Sequence, residues 1–291
     1  MSLPPTPRSG SGPGENTVPT CFRHPDRETY VRCTRCERPI CPDCMRDAAV
    51  GFHCVQCVAE GQKSVRQART AFGGKVVQGP YVTWALLALI VVAFVAQTAN
   101  PQLTVDFGMH GGAVMARGEW YRLITAAFLH GGTMHLLFNG FALYLIGQQL
   151  ESWLGHVRYL SLWLLSAIGG SVLTLLVEPT QLAVGASGAI FGLFGAVFVI
   201  GRRLGLDTRA IVVLLAVNLL ITFLVPNISW TGHIGGLVTG LALAAVYAYL
   251  PRGSGEQGLG KHRTAVHAVA TGACALVLAA LAYGGTVFWV G

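Results

Sequence analysis

The stretch "GASGAIFG", residues 185–192, sets one serine among small residues at the head of an uncharged apolar run. A lone serine in such a place usually packs one helix against another, so its meaning depends on what surrounds it. The chain has 291 residues, 11% of them charged, and a mean hydropathy of +0.54. That composition suits a protein that crosses a membrane many times. The apolar content is uneven. Residues 1–75 hold seven of the eight cysteines and 11 of the 20 Lys and Arg, and beyond residue 80 apolar runs recur. Two units follow: a cysteine-rich head and an all-α polytopic membrane body. The +7 net charge is spread along loops and does not point to nucleic acid.

A membrane-crossing helix needs about 20 apolar residues. Candidate spans lie at 81–98, 133–150, 157–177, 187–201, 210–226, 232–250 and 265–290. The fourth is short, glycine-rich and opens with Ser187. The long gap between the first two spans carries "GEWYRLITAAFLH", an amphipathic aromatic segment expected to lie at the interface. Cytoplasmic loops collect Lys and Arg. With the head inside, the inner loops hold Arg158, Arg202, Arg203, Arg209, Arg252, Lys261 and Arg263, against Arg117 and Arg122 outside. The reading is a multi-pass plasma-membrane protein with a cytoplasmic N-terminus and an extracytoplasmic C-terminus.

This direction gathers polar residues at the outer ends of the even-numbered spans. His135 and Asn139 share a helix face at i,i+4 in span two, Ser187 opens span four and His233 opens span six. Strongly polar groups within spans are costly and point to function. Gly188 and Gly192 in span four, and Gly236 and Gly240 in span six, have the G-x-x-x-G interval that lets helix backbones touch. A contact there would carry His233 toward Ser187.

Three hydrolase chemistries are open to inspection. The H-E-x-x-H metalloprotease motif is missing. The acids Glu151, Glu178 and Asp207 read as loop residues, with Glu178 facing water, so an aspartic dyad has no pair of deep carboxylates. Serine with a histidine base remains, as a Ser187–His233 dyad. A helix-opening Ser187 N–H, with His135 and Asn139, would supply donors to an oxyanion. The approach "EPTQLAVGAS" reads as flexible. Two rivals are a transporter using His135, Asn139 and His233 as a polar path, and an inactive scaffold.

"HGGTMHLLFN" at 130–139, "GASGAIFGLFG" at 185–195 and "GHIGGLVTG" at 232–240 together resemble the signatures of rhomboid intramembrane serine proteases. "EWYR" at 119–122 is similar to an element of that family's long first loop. The resemblance covers about residues 80–250. It implies a six-helix catalytic core at 80–251, followed by a loop and an appended seventh helix at 252–291. It implies Ser187 as nucleophile, His233 as base, and an oxyanion site of His135, Asn139 and the Ser187 N–H, with no catalytic cofactor. Its implied substrates are transmembrane proteins, entering beside span five and cut near the outer face. Phe191 stands where the family often has Tyr; it can stack on His233 but brings no hydroxyl.

The head pairs its ligands as Cys21/His24, Cys33/Cys36, Cys41/Cys44 and Cys54/Cys57. These spacings suit two structural zinc ions. The order resembles a B-box-like cross-brace, which pairs the first with the third set and the second with the fourth. Sequential pairing is the alternative, and His53 is a ninth candidate ligand. The zinc domain is expected over 20–60, after a disordered start at 1–19. It would be structural, regulatory or bind a protein partner. A basic linker at 61–79, with Lys63, Arg66 and Arg69, would meet anionic lipid headgroups.

Overall fold

The computed structural model describes residues 18–64, 69–226, 228–250 and 259–290. Most of the start expected to be disordered, residues 1–17, and Arg66 and Arg252 lie outside the described residues. The chain divides into two compact units, Met1–Gln67 and Ala68–Gly291.

The first unit holds two small antiparallel ribbons. β1 (Thr20–Cys21) pairs with β2 (His24–Glu28), and β3 (Met45–Asp47) pairs with β4 (Phe52–Cys54). α1 (Val55–Ser64) follows, four residues past the expected edge of the zinc domain. The buried cluster of this unit is six cysteines and Ile40. So little apolar surface cannot offset the conformational entropy of ordering a chain of this length.

The second unit opens with a turn in which Phe72 is buried. α2 (Tyr81–Ala99) is apolar all round, as a lipid-facing helix should be. Three helices too short to cross a bilayer fill the long gap: α3 (Gln102–Phe107), α4 (Gly111–Arg117) and α5 (Arg122–Thr125). Then come α6 (Thr133–Leu154), α7 (His156–Val177), α8 (Ser187–Arg203), α9 (Arg209–Leu224), α10 (Trp230–Tyr249) and α11 (Leu259–Val290). A helix lies at each of the seven expected spans. Among the described residues, α2, α7, α10 and the stretch His262–Val290 of α11 are long and apolar enough to cross a membrane. α6 is long but more polar, and α8 and α9 have 17 and 16 residues. α8 runs through the middle of the core, where residues 189–196 are buried without a break. A helix covered by protein does not need a lipid-matched length.

Glu151 differs from the loop reading, and Glu178, though in a loop just after α7, has partners. Glu151 is fully buried within α6. Its carboxylate accepts hydrogen bonds from the Val82 and Thr83 N–H groups at 2.9 Å, from Thr83 Oγ1 at 2.6 Å, and meets His156 Nδ1 at 2.5 Å. It caps the N-terminus of α2, where free N–H groups and the helix dipole favour an anion. Glu178 does not simply face water. It accepts from Trp230 Nε1 at 3.2 Å and Thr231 Oγ1 at 2.8 Å, tying the end of α7 to the start of α10.

Arg122 also departs from a surface loop position. It is 3% exposed and donates to the Val105 and Gly108 carbonyls at 2.6 and 2.7 Å and to Glu119 at 2.5 Å. Arg117 and Arg122 together hold the Glu119 carboxyl down to about 2. One buried guanidinium thus gathers the turns of the long gap.

Candidate active site and metal centres

α8 and α10 meet backbone to backbone. A methyl group built on Gly236 would lie 1.9 Å from the Gly188 carbonyl oxygen. One on Gly240 would lie 2.3 Å from Gly192 Cα, and one on Gly188 would lie 3.0 Å from the Gly232 carbonyl oxygen. Any side chain at these positions would push the helices apart. The contact sets His233 against α8, where its ring stacks on Phe191 with centroids 4.2 Å apart and planes 16° apart. Phe191 lies one turn after Ser187, so serine and imidazole belong to the same end of the α8–α10 seam. No hydrogen bond joins Ser187 Oγ to the ring in this geometry. Catalytic hydrogen bonds often tighten only once substrate is bound.

The strand entering Ser187 is fastened rather than loose. Met109 and Ala183 exchange both backbone hydrogen bonds at 2.9 Å, and Gly185 N–H donates to the Ala126 carbonyl at 2.9 Å. Within the approach expected to be flexible, Ala183 and Gly185 are thus held by Met109, between α3 and α4, and by Ala126, just after α5. Gly185 has φ of +131°, which suits a residue with no side chain. A methyl group there would lie 2.8 Å from His135 Nε2 and 3.5 Å from Ser187 Oγ. His135 and Ser187 therefore converge on one backbone position.

The hydrogen-bond donors can be assigned. Gly131 N–H donates to His135 Nδ1 at 3.3 Å. A neutral ring that accepts at Nδ1 carries its proton on Nε2, the atom near Gly185. Asn139 is buried, and its Nδ2 has no partner among the described residues. Ser187 is the first residue of α8, so its N–H has no partner inside the helix. His135 Nε2 and the Ser187 N–H thus lie near the serine hydroxyl, and Asn139 Nδ2 is a further unpartnered donor one helical turn beyond His135. His130 packs edge-on to His135 with centroids 5.2 Å apart, and burial pulls its ring down to about 4, which keeps it uncharged. A cavity of about 40 Å³ lies beside Ser187, lined by Gly185, Gly188, Ser171, Thr174 and Ser229 among others. That volume admits a water molecule.

Two contacts escaped the sequence reading. Thr222 of α9 is buried, and its Oγ1 lies 2.7 Å from His233 Nδ1. Thr174 Oγ1 lies 3.0 Å from Thr231 Oγ1, joining α7 to α10 just before the histidine. Threonines in apolar helices commonly bond only their own backbone, so nothing in the sequence singled these out.

A rhomboid-domain family model matches residues 117–250. The chain is 42% identical over 136 residues to putative rhomboid protease YdcA of Bacillus subtilis, covering 45% of this chain and 68% of YdcA. The chain belongs to the rhomboid family. It is 38% identical over 176 residues to rhomboid protease GluP of Bacillus subtilis, 57% of this chain but 34% of GluP. It is 35% identical over 151 residues to the mitochondrial RHOMBOID-like protein 6 of Arabidopsis thaliana, about half of each chain. The chain thus spans about a third of GluP and about two thirds of YdcA. Rhomboids are membrane-embedded, in keeping with the apolar helices of the second unit.

In the first unit Cys21, His24, Cys41 and Cys44 form one group, and Cys33, Cys36, Cys54 and Cys57 form another. Within each group the ligand atoms lie within 4.8 Å of one another. His53 lies in β4, opposite Arg46, and belongs to neither group. The geometry suits tetrahedral zinc. Zn–S bonds of about 2.3 Å put sulfurs about 3.8 Å apart, and Cys36 Sγ lies 3.8 Å from Cys54 Sγ. His24 Nδ1 lies 3.3 and 3.5 Å from the sulfurs of Cys41 and Cys44. Cys33 Sγ accepts from Cys54 N–H at 3.2 Å, and Cys36 Sγ accepts from Arg38 Nε at 3.3 Å. Such donors stabilise the thiolate form that metals require.

Proposed function

We propose that this chain is an intramembrane serine endopeptidase that cleaves transmembrane proteins near the outer membrane face with a Ser187–His233 dyad. The carrying observation is the glycine-on-glycine seam of α8 and α10, which sets His233 on Phe191 one turn from Ser187. His233 Nε2 takes the proton of Ser187 Oγ as the oxygen attacks the scissile carbonyl carbon. The carbonyl becomes an oxyanion, met by the Ser187 N–H, His135 Nε2–H and Asn139 Nδ2. His233 then gives its proton to the leaving amine as the C–N bond breaks. Water attacks the acyl-serine with His233 again as base, and the carboxylic product leaves. Metal plays no part in these steps.

The charge asymmetry of the loops supports a cytoplasmic N-terminus and an extracytoplasmic C-terminus in the plasma membrane. α9 presents mostly exposed apolar side chains, which supports substrate entry beside it. The domain reading is a zinc unit over 20–60 ahead of a catalytic core over 80–251 and a seventh helix. In the zinc unit, Cys21, His24, Cys41 and Cys44 would hold one ion, and Cys33, Cys36, Cys54 and Cys57 a second. A full protein ligand set leaves no open coordination position, so both ions are structural, and the unit serves regulation or a protein partner. Purified protein in lipid should cut a model transmembrane substrate, and Ser187→Ala should lower the rate by at least ~10³-fold. Cleavage by the alanine variant at the original rate would refute the reading.

A further inference from the structure

α9 is a 16-residue apolar helix whose single buried residue is the polar Thr222. Apolar residues around it face outward, among them Leu220, Ile221, Phe223 and Leu224. The one fully buried side chain of this helix therefore carries a hydroxyl, while Leu215 packs partly buried against the core. Thr222 Oγ1 has two neighbours: the Asn218 carbonyl at 2.8 Å and His233 Nδ1 at 2.7 Å. A hydroxyl owns one hydrogen and can accept with its lone pairs. The carbonyl accepts only, so the hydroxyl hydrogen goes to Asn218. With the hydroxyl hydrogen on the Asn218 carbonyl, Thr222 Oγ1 is free to accept from His233, the arrangement in which the imidazole proton sits on Nδ1. Nε2 is left bare.

We infer that Thr222 is a positioning residue that locks His233 in the tautomer whose unprotonated Nε2 can act as a base. Stacking on Phe191 fixes the plane of the ring, and the Thr222 bond fixes its rotation within that plane and the place of its proton. The inference deepens the dyad reading and rests on it for its catalytic meaning, while the tautomer itself can be read without any substrate.

The test uses the full chain in lipid nanodiscs with ¹⁵N-labelled histidine, the His233 signals being assigned by their loss in His233→Gln. The wild type should show a protonated Nδ1 and a bare Nε2. Thr222→Val, similar in shape but without the hydroxyl, should show mixed or Nε2-protonated ring signals. Its kcat should fall about 10-fold to 100-fold with KM little changed, since a wrong tautomer disables a base. Thr222→Ser should restore both the spectrum and the rate. If Thr222→Val does not fold, Thr222→Ala carries the same expectation. An unchanged His233 spectrum without the hydroxyl, or a serine variant as impaired as the valine one, would overturn the inference. If the spectrum depends on Thr222 while the wild type cleaves nothing, the tautomer lock stands and the protease reading falls.

Discussion

Gly236→Leu should separate α8 from α10 and leave a protein that is both less stable and inactive. The carbon added at this position would start 1.9 Å from the Gly188 carbonyl oxygen, a backbone atom with no rotamer to escape into. A carbon added at the neighbouring Gly240 would lie 2.3 Å from Gly192 Cα, so the next turn of the seam is just as close. Overpacking of this severity belongs with the exceptional substitutions that cost ~4 kcal/mol or more. The functional loss should exceed what destabilisation alone produces. His233 lies one turn before Gly236, and any widening of the seam lifts its ring from Phe191. Thermal unfolding and cleavage measured on the same preparation check both parts. Gly284→Leu is the control, because nothing lies within 4 Å of a carbon added there. Wild-type melting and turnover for Gly236→Leu would show that the close contact is not needed.

Removing metal from the intact protein should unfold residues 20–60 and leave the membrane body folded. The head buries six cysteines and one isoleucine, so without zinc its interior is a set of thiols facing one another. Structural zinc sites of this type supply on the order of 10 kcal/mol, more than a domain so small can replace. Metal analysis should find about two zinc per chain. After chelation, hydrogen exchange should accelerate throughout 20–60 and stay slow in α7, α8 and α10. Slow exchange in a metal-free head would overturn the structural role of the ions. Because the units are compact separately, cleavage of a model substrate should survive chelation.

Much of this was legible from residue chemistry. Ser187, His233, His135 and Asn139 stood out because polar groups are expensive among apolar neighbours, and the glycine intervals said which helices could touch. Zinc-like spacing marked the cysteine pairs, and they gather into two groups able to hold an ion each. The sequence was misleading where a residue's partners lie far along the chain. Glu151 looked like a loop acid at the edge of a span, but the N–H groups that hold it come from the start of α2, 68 residues earlier. Arg122 was read as an outer-loop charge, and carbonyls of α3 and the turn after it took it inside. Thr222 was invisible for the opposite reason: a threonine in an apolar helix is ordinary, and only the fold sets His233 beside it.

The central claim is that Ser187 is a nucleophile activated by its surroundings. A fluorophosphonate probe reports this directly, by forming a bond to serine oxygen only where the hydroxyl is activated and the oxyanion is held. Incubating folded, membrane-reconstituted protein with the probe and mapping the adduct by mass spectrometry should place one label on Ser187, with no label in Ser187→Ala and strongly reduced label in His233→Ala. Folded protein that takes no label, or that is labelled equally well without the His233 imidazole, would contradict the account.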